Sequence, residues 1–464
     1  MFRAVLVSLV ILAMPLWATA LWSESRVPQD QAEISLGFAP VVRKAAPAVV
    51  NIYARRIVST RSSPFAGDPF FDNLFREFGA PRQRVQNSLG SGVILDAAGI
   101  VVSNYHVVGE ATDIRVVLND RREYEGRILL ADQESDLAIL QLDGAQELPA
   151  LDLRNSETVE VGELVLAIGN PFGVGQTVSS GIVSGLARSA TALGNARGYF
   201  IQTDAPINPG NSGGALVDIN GDLIGINTAI LSRSGGSDGI GFAIPSALVA
   251  EFLAQAQAGN TRFARPWAGV TGQSVTADMA EPLGLDRPEG VILSDLHPAS
   301  PLRVAGVTPG DVITAVDGSE VNTPAEMIYR MSVAGLGGQA VLTRLRGGEA
   351  DEVMIDLVAP PESPPRDTRH AGPRSPIPGL TLSRVNPAVI DEYGLASGSE
   401  GVVVEEPGEI GARLGLRRGD VLLGLNGQRI ESPDKALALL DEASGRAALQ
   451  LRRGGRNVTL RFRL

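Results

Sequence analysis

From about Gly37 to Gln255, apolar and polar positions change over in short runs. The segments "AVVNIYARRIV", "GSGVILD", "GIVVSN", "DIRVVL" and "LVLAIG" are each bounded by turn formers. Strands this short, at this spacing and without long helices between them, predict an antiparallel barrel or sandwich. One insert departs from the pattern: residues 63–87, "SPFAGDPFFDNLFREFGAPRQRVQN", place many phenylalanines between turn formers. It reads as a surface loop with a short amphipathic helix, whose aromatic cluster offers a contact surface to another subunit or a client.

The C-terminal half contains an internal repeat. "EGVILSDLHPASPLRVAGVTPGDVITAVDGSEVNTPAEMIYRM" comes back as "EGVVVEEPGEIGARLGLRRGDVLLGLNGQRIESPDKALALL", the Gly310-Asp-Val core matching that at Gly419. Each copy has a hairpin turn of the Asp-Gly or Asn-Gly kind, at Asp317-Gly318 and Asn426-Gly427. A helix start follows in each, Thr323-Pro324 and Ser432-Pro433, a hydroxyl cap ahead of proline. Two copies of this length predict two compact modules rather than a solenoid. Between them, "APPESPPRDTRHAGPRSP" is rich in proline and charge and reads as a semi-rigid linker that buries no core. His370 lies in it and is set aside as a site residue.

Composition narrows the chemistry. A chain of 464 residues, 44% hydrophobic and 20% charged, has room for about three domains. A net charge of −12 argues against nucleic acid as the main partner. The only lysines are Lys44 and Lys435, neither behind a Gly-rich phosphate loop, so no ATP site is visible. The absence of cysteine removes thiol nucleophiles, disulfides and thiolate metal sites. His106, His297 and His370 are far apart and outside any HExxH pattern, so no metal or other cofactor is expected. The N-terminus has Arg3, an apolar run and Ala18-Thr19-Ala20, the form of a cleaved secretory signal over residues 1–20. An uncleaved membrane anchor is the competing reading, since the apolar run reaches Trp22.

Ser212 sits in Gly210-Asn211-Ser212-Gly213-Gly214. Glycines around a serine permit a tight turn that exposes the hydroxyl and aims successive amides into one small cavity. Such a cavity binds the oxygen that becomes negative when a hydroxyl attacks a carbonyl, and losing one donor costs about 10²–10³ in rate. Gly210, Asn211 and Ser212 supply its backbone, with the amides of Gly210 and Ser212 as the donors. A serine hydroxyl needs a base, and the base needs a carboxylate to orient it. His106, at the close of "GIVVSNYHVV", is the one histidine of the β-rich segment. Among Asp132, Glu134 and Asp136, the last is best placed because it directly precedes the apolar strand "LAILQL". Asp132 reads as a turn residue and Asp113 as a hairpin start. The order His, Asp, Ser is that of chymotrypsin-like double β-barrels.

With "SGVILDAAGIVVSNYHVV", "SDLAILQL", "AIGNPFGVGQTVSSGIVSGLAR" and "IQTDAPINPGNSGGALVDINGDLIGINTAI" in view, residues 37–464 resemble the HtrA (Do-like) serine proteases. The DegP/DegQ type, with two PDZ domains, is the nearest form. The resemblance implies a trypsin-like protease domain at 37–255 and PDZ domains at 262–360 and 376–464, which leaves the signal segment at 1–20 and the linker at 361–375 as read above. It implies that His106, Asp136 and Ser212 form the triad, and that segments after Arg188 and around Thr228–Gly239 are regulatory and pocket loops. It also implies an ATP-independent periplasmic endopeptidase of unfolded proteins that assembles as a trimer or larger cage. PDZ domains take an extended C-terminus as an added strand, its carboxylate held by backbone amides. The loops for this are Pro266-Trp267-Ala268-Gly269 and Pro376-Ile377-Pro378-Gly379. Pro378 lacks an N–H, so the first module is expected to bind peptide more strongly. The alternatives are a chaperone or scaffold with a silent protease domain and a membrane-anchored signalling protease. His297 is expected to be a loop residue with no catalytic part.

Overall fold

The computed structural model describes residues 37–60, 82–170, 175–189, 199–208, 210–230, 239–396, 398–443 and 445–463. The expected signal segment at 1–20 lies outside them, as do residues 190–198 and 231–238 of the expected loops. The chain divides into an N-terminal segment, Met1–Pro40, of which residues 37–40 are described, and one compact unit, Val41–Leu464.

The expected pair of β-barrels is present. Strands β1 (Val49–Thr60), β2 (Arg82–Asp96), β3 (Ile100–Ser103), β4 (Asp113–Val117), β5 (Glu123–Asp132) and β6 (Leu137–Leu142) close in the order β1-β2-β3-β6-β5-β4. Strands β7 (Leu164–Gly169), β8 (Thr177–Ser189), β9 (Tyr199–Thr203), β10 (Ala215–Asp218), β11 (Leu223–Ile230) and β12 (Gly241–Pro245) close in the order β10-β11-β12-β9-β8-β7. Closure leaves no open strand edge. The β-branched run "IVVS" is buried at every position of β3 because both its faces meet protein. Ile52, Ile94, Leu130 and Ile139 fill the first barrel, and Val165, Val183, Leu216 and Ile224 the second. Of the phenylalanine-rich insert, residues 63–81 lie outside the described chain. Its end is no loop: residues 82–87 extend β2 and pair with β1 from Thr60 to Arg55.

Between the barrels and the repeat runs helix α2 (Ser246–Gln257), whose Phe252 stacks on Phe263 with ring centroids 3.9 Å apart. The side chain of Gln255 accepts from the amide of Ala264 at 2.8 Å and donates to its carbonyl at 2.9 Å. These contacts fix the connector into the first repeat module.

The two copies are built alike. The first has β13 (Val270–Ser274), β14 (Val291–Leu296), β15 (Val312–Val316), β16 (Ser319–Glu320), β17 (Gln339–Arg346) and β18 (Glu349–Asp356). The second has β19 (Arg369–His370), β20 (Thr381–Arg384), β21 (Val402–Glu406), β22 (Val421–Leu425), β23 (Gln428–Arg429), β24 (Arg446–Arg453) and β25 (Arg456–Arg463). Helices α3 (Pro324–Ala334) and α4 (Pro433–Glu442) start where the sequence places them. Thr323 accepts from the amide of Glu326 at 3.1 Å, and Ser432 from that of Lys435 at 3.2 Å. The shared Gly-Asp-Val core has a common cause. Asp311 caps the amide of Thr308 and pairs with Arg346, as Asp420 caps Arg417 and pairs with Arg453.

One difference from the sequence reading stands out. The stretch 361–375 is no free linker: Arg369 and His370 form β19 on the outer edge of β20, and Ala371 joins the core of the second module. A proline-rich stretch cannot make a core alone, yet two extended residues can complete one that the neighbouring module supplies.

Candidate active site

His106 lies in α1 (Tyr105–Val108), a single turn after β3. Val107 and Val108 are buried and anchor that turn, which leaves the imidazole half exposed. Asp136 stands at the end of the β5–β6 connection with φ 53°, a left-handed conformation that Asp tolerates better than most residues. Its carbonyl accepts from the Tyr105 amide at 3.1 Å and from Asn104 Nδ2 at 3.0 Å. Two segments 30 residues apart are thereby tied together.

Three donors converge on the Asp136 carboxylate. His106 Nδ1 lies 2.9 and 2.8 Å from its two oxygens, and the His106 amide donates at 3.0 Å. Thr228 Oγ1 in β11 donates at 2.6 Å. The carboxylate thus fixes the imidazole's tilt and leaves Nε2 for a reacting group. Sequence reasoning passed over Thr228 as a hydrogen-bond donor, because nothing local marks a partner 92 residues away.

Ser212 occupies the turn ahead of β10. Gly213, with φ +83°, must be glycine, since a Cβ there would run into the Ser91 carbonyl. The turn is pinned across the barrels: the Ser91 amide donates to the Ser212 carbonyl at 2.9 Å, and Ser91 Oγ to that of Gly210 at 2.7 Å. Ser91 Oγ also accepts from the Asn170 amide at 2.9 Å. Of the three residues expected to supply the backbone of the oxyanion cavity, Asn211 offers no spare amide. Its amide already donates to the Asn208 carbonyl at 2.9 Å. The amides of Gly210 and Ser212 have no acceptor among the described residues. The Ser212 hydroxyl donates to the Thr228 carbonyl at 3.2 Å rather than to His106.

The expectation that Asp132 is a turn residue is met, since it accepts from the Ser135 amide at 2.7 Å. It also pairs with Arg265 of the connector, whose guanidinium reaches Ser135 Oγ at 2.6 Å. Burial works against the Arg265 charge, but Asp132 outweighs it and raises the proton affinity of the group. The loop before Asp136 is thus tied to the start of the first module.

In the first module, the Trp267 amide donates to the Val358 carbonyl at 2.8 Å, so it is corrected as a carboxylate donor. The Ala268 and Gly269 amides are without an acceptor among the described residues. Gly269 has φ +63°, and a Cβ on it would come within 2.7 Å of the Trp267 ring. In the second module the Gly379 amide donates to the Ala371 carbonyl at 3.3 Å. A cleft of about 2250 Å³ is lined by His106, Asp136 and Thr228 on the barrel side and by Gly269, Val270 and Ile328 on the module side. Among the described residues no group of three or more His, Asp or Glu is placed to hold a metal ion.

The family profile for a trypsin-like peptidase domain matches residues 90–226, and two PDZ domain profiles match 269–357 and 401–453. The periplasmic pH-dependent serine endoprotease DegQ of Escherichia coli K12 is 38% identical, with 94% of this chain and 92% of the relative covered. The periplasmic serine endoprotease DegP of the same strain is 35% identical, with 98% of each chain covered. Among solved structures, the HtrA-type protease AlgW with a decapeptide aligns at a TM-score of 0.52 and 41% identity, covering 70% of this chain and 99% of that one. The same protease with a tripeptide aligns at 0.53 and 38% identity, covering 70% and 99%. A barrel pair with this site, two following modules and relatives this similar along the whole chain identify the protein as a member of the HtrA family of serine endoproteases, of the DegP/DegQ type with two PDZ domains.

Proposed function

We propose that Ser212 is the nucleophile of this endopeptidase, His106 its general base and Asp136 the carboxylate that orients the imidazole. The observation that carries the reading is the His106–Asp136 pair, held by four hydrogen bonds or close polar contacts, beside a serine on a glycine turn with two amides that have no acceptor among the described residues. Rotation about the Ser212 Cα–Cβ bond transfers its hydroxyl from the Thr228 carbonyl to His106 Nε2, a contact that tightens when substrate is bound. Oγ then attacks the peptide carbonyl, its proton passes to Nε2, and the new oxyanion takes the amides of Gly210 and Ser212. Collapse expels the amine, which receives that proton, and water repeats the sequence on the acyl-enzyme.

The first PDZ domain supports delivery of unfolded chains. Its β13 is the outer strand of the sheet, and its loop amides at Ala268 and Gly269 suit a terminal carboxylate. Its groove shares one cleft with His106 and Asp136. Relatives named periplasmic support action in the periplasm after removal of residues 1–20. Assembly as a trimer or a multiple of one completes the reading, and sedimentation of the mature chain tests it.

Casein hydrolysis without ATP, by the mature chain and by Ser212→Ala, is the deciding experiment. Cleavage by the native chain alone is the expected result. Loss of cleavage in both, with suppression of client aggregation retained, would favour a scaffold with a silent protease domain.

A further inference from the structure

The two PDZ domains differ at the place where a peptide would add. In the first, β13 ends its sheet, which runs β13-β14-β15-β17-β18. In the second, the equivalent strand β20 is followed outward by β19, with Arg369 opposite Leu382 and His370 opposite Thr381, antiparallel. The pairing continues at both ends. The Arg384 amide donates to the Arg366 carbonyl, and that of Ala371 to the Leu380 carbonyl at 2.8 Å. The Gly379 amide, in the loop that corresponds to the carboxylate cradle of the first copy, donates to the Ala371 carbonyl.

Side chains repeat the message. Arg369 Nε lies 2.7 Å from Asp434 Oδ1 in the first turn of α4, the helix matching the groove helix α3. Ala371 is buried in one cluster with Ile377, Leu380, Leu439 and Leu440, drawn from the loop and from α4. Thr368 and Ser383 hydroxyls meet at 2.6 Å, and Arg366 reaches Glu392 at 2.9 Å. A strand, a small terminal side chain in an apolar pocket and a carbonyl on the cradle amide are the features of a bound C-terminus.

We propose that residues 366–371 are the resident ligand of the second PDZ domain, an internal strap that fills its groove. A C-terminal peptide enters only by displacing it, and the peptide chemistry that competes is a small final residue with arginine two positions before it. The strap is tethered, so its effective concentration is about millimolar and a free peptide must overcome that. The resting chain therefore has one open peptide groove, in the first PDZ domain. This explanation differs from the missing N–H of Pro378, because it puts the block in residues outside the cradle.

The test is backbone hydrogen exchange of the full-length Ser212→Ala chain, read on fragments covering 366–371 and, separately, β20 and α4. The probe is a synthetic decapeptide copying residues 362–371 with a free carboxylate. Residues 366–371 are expected to exchange at least about 100-fold slower than unstructured chain, and to lose that protection at millimolar probe. Arg369→Glu, which sets a carboxylate against Asp434, is expected to speed their exchange about tenfold, and adding Asp434→Arg to restore it. Exchange of 366–371 at the unstructured rate, with β20 and α4 still protected, would overturn the proposal. So would protection that millimolar probe leaves unchanged. The readout needs no cleavage, so it stands apart from the role assigned to Ser212.

Discussion

Thr228 shows how a single hydroxyl can set the geometry of an imidazole it never touches. Its Oγ1 donates to Asp136 Oδ2 at 2.6 Å, on the same oxygen that His106 Nδ1 meets at 2.8 Å, while its carbonyl holds the Ser212 hydroxyl. Removal of a hydrogen bond to a charged group costs about 1.5–3 kcal/mol, which corresponds to about 10–100-fold in rate. Thr228→Val is expected to lower kcat by about that factor with KM nearly unchanged, and Thr228→Ser to restore most of it. Steady-state kinetics on one peptide substrate reads the split, and a fall confined to KM would show that Thr228 acts on binding. Asp136→Asn is expected to cost more, about 10⁴-fold in kcat, because the amide favours the wrong imidazole tautomer. At this scale Ser212 is legible because its turn is written locally, in "GNSGG", and His106 because it is the one histidine of the β-rich segment. Thr228 is not, since its role depends on strand register between distant segments.

The elements of the repeat show a second level of legibility. The Gly-Asp-Val core announced two like modules, and the structure supplies the reason: a buried aspartate that caps a turn and pairs with an arginine from the strand before the last. Burial alone would push the Asp311 carboxyl up, but Arg346 and the Thr308 amide outweigh it and hold the group below its ordinary 3.8. Since the folded value is the lower one, this stabilisation is complete above the unfolded value and disappears as pH falls through the folded value. Asp311→Ala is expected to destabilise the first PDZ domain by about 1–3 kcal/mol near neutral pH, and by little at low pH where the native carboxyl is protonated. Thermal unfolding across that range, followed in the native chain and the variant, checks both statements. An equal difference at every pH would remove Asp311's charge from the account. The strap at 366–371 was the element least legible from sequence. Its charges and the prolines on either side of it resemble a linker, and a two-residue strand has no periodicity of its own; only the edge of β20 gives it a structure.

Across the whole molecule, the first PDZ domain is held to the second barrel by one compact clamp. Tyr329 of α3 stacks on Tyr199 of β9, ring centroids 4.0 Å apart and planes 8° from parallel, and its hydroxyl donates to Glu157 at 2.9 Å. Arg330 pairs with the same carboxylate, lies 5.0 Å over the Tyr199 ring and donates to its hydroxyl at 3.0 Å. Burial pushes the Tyr329 phenol well up from its ordinary 10.0, so the neutral donor persists wherever the chain is folded below that pH. Above it the unfolded phenol would ionise first, and the contact would favour folding less. The connector has its own anchors at Phe263, Ala264 and Arg265, so the clamp governs the angle of the domain rather than its attachment. Arg330→Ala leaves Glu157 bonded to Tyr329 but strips the cation from both rings, a loss of about 1–3 kcal/mol from the ion pair and stacking together. The expected result is a first PDZ domain that swings away from the barrel. Its signature is a larger radius of gyration in solution scattering, with the Asp311-linked unfolding transition unchanged. Because α3 and His106 line one cleft, widening it should also weaken the cleavage of substrates that engage both the PDZ groove and the active site, while short peptides lacking a PDZ-binding end are cut as before. Equal losses for both substrate kinds would place the effect inside the barrels, and would mean that the clamp does not set how a tethered chain reaches Ser212.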